Sequence, residues 1–375
     1  MIIKLCLRNT ITVTFLLAVI LALTGSMAAQ LPSIGPDMTI DAGARSAVVE
    51  RLLKQLNDEY IFPDTAKKME SDVRSRLKNG EYENVTSAKA FAEKLTADLQ
   101  SVSHDKHLRV RYSPAVIPVE QEKLGPTDAD KARQATYEKF MNSAFQKVER
   151  MPGNVGYIKL DGFFDPEIGG DTVAAAMNFV ANTDFLIFDL RDNGGGDPAM
   201  VKLICSYLFG DKSVHLNDLY WRKDNKTEEF WTIPSVPGKK FLEKDVYVLT
   251  SNRTFSGGEE FTYNLKNLKR ATIVGETTGG GAHPGGFERL SDHFGVFIPI
   301  GRAISPITKT NWEGTGVEPD IKVSRDQALP TAYLMALNKA YEKAKDENLK
   351  TNIKAVIDRT QKELDEIKKQ VAKTN

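Results

Sequence analysis

Apolar positions along the chain recur with different periods, and the changes of period divide it. From Asp41, residues Val48, Val49, Leu52, Leu53 and Leu56 fall on one helical face, and the run stops ahead of Pro63. Asp64 can cap a second helix with Met69, Val73 and Leu77 at spacings of four and Gly80 as its stop. Thr86 or Ser87 can cap a third, carrying Phe91, Leu95, Leu99 and Val102. Leu108-Arg-Val-Arg-Tyr112 then alternates as a strand does, so residues 41–112 read as a small helical domain that ends in a strand.

Residues 113–151 start as a charged linker with Pro114, Pro118 and Pro126 and continue as a helical segment bearing Phe140, Met141, Ala144, Phe145 and Val148. From residue 152 to 325 the pattern changes to buried strands alternating with helices. Strands are expected at about 155–160, 185–190 and 245–250, with a helix over 257–268 and a further strand at Ala271-Thr-Ile-Val-Gly275. That alternation predicts an α/β core, a sheet with parallel crossovers and helices packed on it. Residues 214–232 and 287–308 read as β-hairpin insertions, and residues 326–375 as a helical tail.

The first 29 residues stand apart. Lys4 and Arg8 accompany an apolar run from Ile11 to Leu23, followed by Gly25, Ser26, Ala28 and Ala29, which reads as a secretory signal peptide cut after Ala28 or Ala29. The alternative is a membrane anchor, but the run is shorter than the ~20 residues a span needs. A secreted, periplasmic or extracellular protein is therefore expected, with no membrane span after cleavage. Removal of Lys4 and Arg8 would leave 48 basic against 50 acidic side chains, a balance that leaves no nucleic-acid footprint or polybasic patch. Cys6 would leave with the signal, so Cys205 has no internal disulfide partner and reads as a buried small residue in an apolar helical stretch.

Two loops carry candidate chemistry. Arg191-Asp-Asn-Gly-Gly-Gly196 follows a buried strand, and a glycine triplet there can present backbone N–H groups to an anion; the pattern lacks the Lys-Ser/Thr end of a phosphate loop. Thr254-Phe-Ser-Gly-Gly-Glu259 places Ser256 between a strand and a helix start, where it could attack a carbonyl or merely cap the helix in a capping box with Glu259. A nucleophilic serine needs a base. The candidates His104 and His107 lie in Val102-Ser-His-Asp-Lys-His-Leu108, and Glu313 sits in a glycine-rich loop that could supply an orienting carboxylate. His104 and His107, three apart, find no further ligand pair at zinc spacing, so no metal and no cofactor are expected.

Four stretches together, Asp189-Leu-Arg-Asp-Asn-Gly-Gly-Gly196, Thr254-Phe-Ser-Gly-Gly-Glu259, Val274-Gly-Glu-Thr-Thr-Gly-Gly-Gly281 and Gly314-Thr-Gly-Val-Glu-Pro-Asp320, resemble the tail-specific, or C-terminal processing, serine peptidases. The branch that looks closest holds interphotoreceptor retinoid-binding protein and its bacterial relatives. The resemblance covers residues 45 to 340 and implies a crotonase-like, repeated ββα core behind a helical domain. It implies Ser256 as nucleophile, His107 as base, Glu313 as orienting carboxylate, and Gly195 and Gly257 as oxyanion-hole donors, with Lys106 and His104 as accessory candidates. The dyad lysine of many members is absent, its position being Gly281, while Lys266 and Lys269 read as solvated helix residues. Lys106 stands where the tricorn-like version of the site has a serine. Residues 113–151 are too few for the PDZ domain that many members carry, so recognition of a substrate end by strand addition to such a domain is not expected. The expected partner is a peptide or unfolded protein substrate; the alternative is a non-catalytic binder of apolar ligands or peptides.

Overall fold

The computed structural model describes residues 35–119 and 128–374, so the expected signal peptide lies outside the described residues. In chain order the helices are α1 (Ala42–Glu59), α2 (Pro63–Lys78), α3 (Ala88–Ser103), α4 (Asp128–Phe140), α5 (Pro166–Val180), α6 (Pro198–Ser206), α7 (Gly257–Asn267), α8 (Arg325–Lys343) and α9 (Glu347–Thr374). The strands are β1 (Arg109–Tyr112), β2 (Phe145–Met151), β3 (Val155–Leu160), β4 (Phe185–Asp189), β5 (His215–Trp221) and β6 (Lys226–Trp231). After them come β7 (Asp245–Thr250), β8 (Thr272–Gly275), β9 (Gly285–Arg289), β10 (Phe294–Pro299), β11 (Gly301–Ile304) and β12 (Ile321–Lys322). Among the described residues no helix is long and apolar enough to cross a membrane.

The chain divides into two compact units. One contains residues 35–119 and 128–137 with Leu219–Glu228 and His283–Ala303; the other contains Glu138–Asp218, Glu229–Ala282 and residues 304–374. In the first unit the stripes of α1, α2 and α3 meet as their spacing predicts, and Leu52, Leu56, Met69, Val73, Phe91, Leu95 and Leu99 are buried in one core. Asp41 caps α1 through the Ala44 N–H at 2.7 Å, and Ser87 caps α3 through the Ala90 N–H at 3.0 Å. Pro63, rather than Asp64, opens α2, in the first-turn position where its missing N–H costs nothing. The core is closed by the antiparallel sheet β1-β10-β9, whose Val110, Tyr112, Phe294, Val296 and Ile298 face it. The stretch expected as an insertion at 287–308 thus supplies sheet to the helical lobe.

In the second unit the strand order is β12-β8-β7-β4-β3-β2. Every neighbouring pair from β3 to β12 is parallel, and β2 joins the edge antiparallel. Alternate side chains leave opposite faces of these strands. Ile158, Leu186, Phe188, Val246, Val248 and Ile273 pack under α5, α6 and α7, while Val155, Tyr157, Ile187, Tyr247, Leu249 and Val274 pack under α8. All three crossover helices share one face because the strand order advances in one direction and parallel crossovers keep one hand. The tail therefore builds the second covering layer, and Ala328, Ala332, Ala336 and Leu337 are fully buried.

Two expectations shift. Phe145 and Val148 belong to β2, not to a helix, because the helical run ends at Phe140 and three residues with positive φ, Asn142, Ser143 and Ala144, turn the chain. Cys205 is fully buried on α6, and burial pushes its thiol well up, as expected of a packing residue.

Where β4 ends, Asp189 is inaccessible to solvent, accepts the Tyr157 hydroxyl at 2.7 Å and pairs with Arg191 at 2.6 Å. Replacing Asp189 with alanine strands a half-buried guanidinium. We expect Asp189→Ala to lower the unfolding free energy by about 3–5 kcal/mol in urea titration; a loss below about 1 kcal/mol would show that the pair does not hold this turn.

Candidate active site

Loops that follow neighbouring parallel strands emerge side by side, at the sheet edge where α/β proteins bind ligands. Asp189 at the end of β4 pairs with Leu249 near the end of β7, and Thr250 pairs with Gly275 at the end of β8. The glycine loop, the Ser256 turn and the 276–282 loop therefore lie next to one another. Hydrogen bonds fasten the first two: Thr254 Oγ1 donates to the Leu190 carbonyl at 2.7 Å, and the Phe255 N–H to the Asn193 carbonyl at 3.0 Å.

Ser256 is the N-cap of α7, but with φ +51° and ψ −119°. An ordinary cap is extended, as Ser87 is at φ −77° and ψ 126°. Non-glycine residues rarely occupy the Ser256 conformation, and holding one there costs on the order of 1–3 kcal/mol. Glu259 makes the return half of the anticipated capping box, accepting the Ser256 N–H at 2.9 Å. It does more than cap. Its carboxyl oxygens also accept the Gly280 N–H at 2.6 Å, the Gly281 N–H at 2.8 Å and the Thr278 hydroxyl. Burial pushes its pKa up to about 7, and the four donors act the other way. One carboxyl thus ties the serine turn to the 276–282 loop, a role that the sequence showed only as a capping pattern.

The two glycines proposed from sequence come together with the serine. A Cβ built on Gly195 would lie 2.7 Å from both the Gly257 nitrogen and the Ser256 Cβ, so no side chain fits between the two turns. The Gly195 N–H, however, is donated to Asn193 Oδ1 at 2.9 Å. The next amide is the better donor. Gly196 nitrogen lies 3.0 Å from a Cβ built on Gly257, and its N–H has no acceptor among the described residues. Gly257 opens α7, where first-turn N–H groups find no partner within the helix. Glu313 reaches the same loop from another direction, accepting the Ala282 N–H, while Trp312 Nε1 donates to the Gly281 carbonyl at 2.7 Å.

The two candidate histidines, His104 and His107, belong to the first unit. His104 is the exposed C-cap of α3 with φ +56°, and Lys106 is exposed, its carbonyl accepting Arg109 Nε at 2.9 Å. His107 is buried and stacks on Phe297 at 5.9 Å between ring centres. Burial lowers its pKa to about 4, the neighbouring His283 and Arg109 adding to the fall and Asp105 opposing it, so the ring is neutral at ordinary pH. Its backbone N–H is held by Asp105 Oδ1 at 3.0 Å. Asp105 also accepts the Tyr60 hydroxyl at 3.2 Å and lies 2.8 Å from His283 Nδ1. This buried Asp105–His283 pair escaped the sequence reading, because its members are far apart in the chain.

A model of peptidase family S41 matches residues 154–323, and a model of the N-terminal domain of that family in eukaryotic IRBP matches residues 42–149. Carboxyl-terminal-processing peptidase 1, chloroplastic, of Arabidopsis thaliana is 28% identical over 209 residues, 55% of this chain and 41% of that one. Carboxyl-terminal-processing peptidase 2, chloroplastic, of the same plant is 27% identical over 191 residues, 48% and 35% of the two chains. The chain thus spans less than half the length of these curated relatives. A Parabacteroides merdae protein of known crystal structure shares the fold, with a TM-score of 0.55 at 17% identity over 81% of this chain and 98% of the other. The mixed α/β, crotonase-like fold is that of this structural neighbour.

One carboxyl beside the site gives a pH signature. Burial pushes Glu260, next to Glu259 on α7, up to about 8, and Asn217 and Asn264 only partly offset it. A folded carboxyl that holds its proton more tightly than the unfolded one stabilises the fold fully below the unfolded pKa of about 4.5. That contribution is lost as pH rises through about 8. Between pH 5 and pH 9 we expect stability to fall by on the order of 3–5 kcal/mol through this group. Glu260→Gln should flatten the decline in urea titrations; an unchanged slope would show that Glu260 is not the group responsible.

Proposed function

The chain belongs to peptidase family S41, and from that premise we propose that it is a serine peptidase that hydrolyses peptide bonds of protein or peptide substrates, with Ser256 as nucleophile. The observation that carries this reading is the backbone of Ser256, held at φ +51° and ψ −119° by a carboxyl that takes four hydrogen bonds. A helix cap needs no such conformation, and a carrier of apolar ligands gains nothing from it. A turn of this kind lifts a hydroxyl off the end of a sheet, as nucleophile elbows do.

In the proposed cycle the neutral imidazole of His107 takes the hydroxyl proton while Ser256 Oγ bonds to the substrate carbonyl carbon. The carbonyl oxygen becomes an oxyanion that accepts the N–H groups of Gly257 and Gly196. The imidazolium then gives its proton to the leaving amine, the C–N bond breaks, and an ester remains on Ser256. Water, deprotonated by the same imidazole, attacks that ester; the proton returns to Ser256 as the carboxylic product leaves. Glu313 steadies the 276–282 loop through the Ala282 N–H. We also propose that the protein is exported, on the strength of the signal-like residues 1–29.

The wild-type protein should cleave an unfolded substrate such as casein, and Ser256→Ala should reduce turnover by about 10⁴-fold or more with unchanged thermal unfolding. Retained turnover in that variant would remove Ser256 as nucleophile. The base must be neutral to act, so kcat/KM should fall on the acid side near the lowered value of about 4 rather than near 6.5. An acid limb above pH 6 would exclude a buried His107 as the base.

A further inference from the structure

Behind the serine turn, α7 carries polar side chains into the core. Glu260, Asn264 and Asn267 fall at i, i+4 and i+7, on one face of the helix. Glu260 is 4% exposed, Asn264 2%, and Asn217 of β5 not at all. Interior helix positions are ordinarily apolar, as Phe261 and Leu265 are on the same helix. Glu260, Asn264, Asn217 and Asp197 all belong to the second unit.

These groups lack the partners that buried polar atoms ordinarily have. Glu260 Oε1, both side-chain polar atoms of Asn217 and both of Asn264 are enclosed and make no hydrogen bond among the described residues. The two amides nevertheless reach the Glu260 carboxyl closely enough to favour its ionised form, which burial and the Asp197 carboxylate oppose. No lysine or arginine acts on that carboxyl among the described residues. Side chains from two elements thus converge on one enclosed place. They bring a carboxylate and two amide oxygens, and a second carboxylate adds negative charge. Cys205 is no soft ligand there, since burial and the charge of Glu260 hold its thiol protonated.

We propose that Glu260, Asn217 and Asn264 form a binding site for a calcium ion that ties α7 to β5 behind Ser256. Carboxylate and amide oxygens are the ligands of hard cations, and two negative charges match a divalent one. Calcium accepts irregular sets of oxygens. Magnesium demands a regular octahedron and keeps several waters, for which an enclosed site leaves little room. Each amide presents its oxygen to the ion by rotation about its last side-chain bond. The ion and a proton compete for the same carboxyl, so the stability loss that Glu260 causes at alkaline pH is that of the calcium-free protein. The site does not depend on peptide hydrolysis, and neither does its test.

That test is equilibrium dialysis of the full wild-type chain, stripped with EDTA, against radioactive calcium, with thermal unfolding followed in parallel. One calcium should bind per chain, and Tm at about 10 mM calcium should exceed Tm in EDTA by about 3 °C or more. Magnesium, sodium and potassium at equal ionic strength should give no comparable rise. Glu260→Gln and Asn217→Leu should each weaken calcium binding by about tenfold or more and remove the calcium-dependent rise in Tm. A wild-type chain that binds no calcium overturns the site without recourse to any variant, and leaves the three side chains sharing water only. An equal rise with magnesium or sodium, or undiminished calcium binding by Glu260→Gln, overturns it as well, because the ion then sits elsewhere.

Discussion

Ser256 sits in a backbone conformation that its own side chain disfavours, and the surrounding structure is arranged to hold it there. The Glu259 carboxyl takes the Ser256 N–H and three donors of the 276–282 loop. Asn193, from the glycine loop, fixes the Gly195 N–H and donates to the Leu160 carbonyl at 3.0 Å. With the Thr254 hydroxyl and Phe255 N–H bonds to the glycine loop, these contacts join three loops that belong to different strands, so the strain at one residue is met by contacts spread over the carboxyl ends of β4, β7 and β8. Local strain persists only where its surroundings over-determine it.

The sheet makes this possible. Because β4, β7 and β8 are consecutive parallel neighbours, the loops that follow them are adjacent without further design. Helices cover both faces, α5 to α7 on one side and α8 on the other, which keeps the strands dry and the loop anchors rigid. In the first unit a separate polar core serves a similar purpose. Asp105 binds the His107 N–H, the Tyr60 hydroxyl and the His283 ring, and so sets the backbone that carries His107.

Much of this was legible in the sequence, because it depends on local signals. The periods of Leu52, Met69 and Phe91 gave the three helices, and the strand-turn-helix pattern around Ser256 gave the elbow. Pairings between distant segments left no such trace. Nothing in the 287–308 stretch tells that its strands pair with β1, and nothing in the chain tells that Asn193 will occupy the Gly195 amide. Glu259 was visible as a capping residue, but its three further donors lie about twenty residues away in the chain. Phe145 and Val148 carried apolar spacing that fits helix or strand alike, and the positive-φ turn ahead of them decided the matter.

The claim at the centre is that the strained turn makes one hydroxyl reactive. Treatment of the wild-type protein with a fluorophosphonate, followed by intact-mass and peptide mapping, tests this most directly. A single adduct located on Ser256, absent when the protein is first unfolded, is the predicted result. An unmodified Ser256, or an adduct on a different side chain, would contradict it.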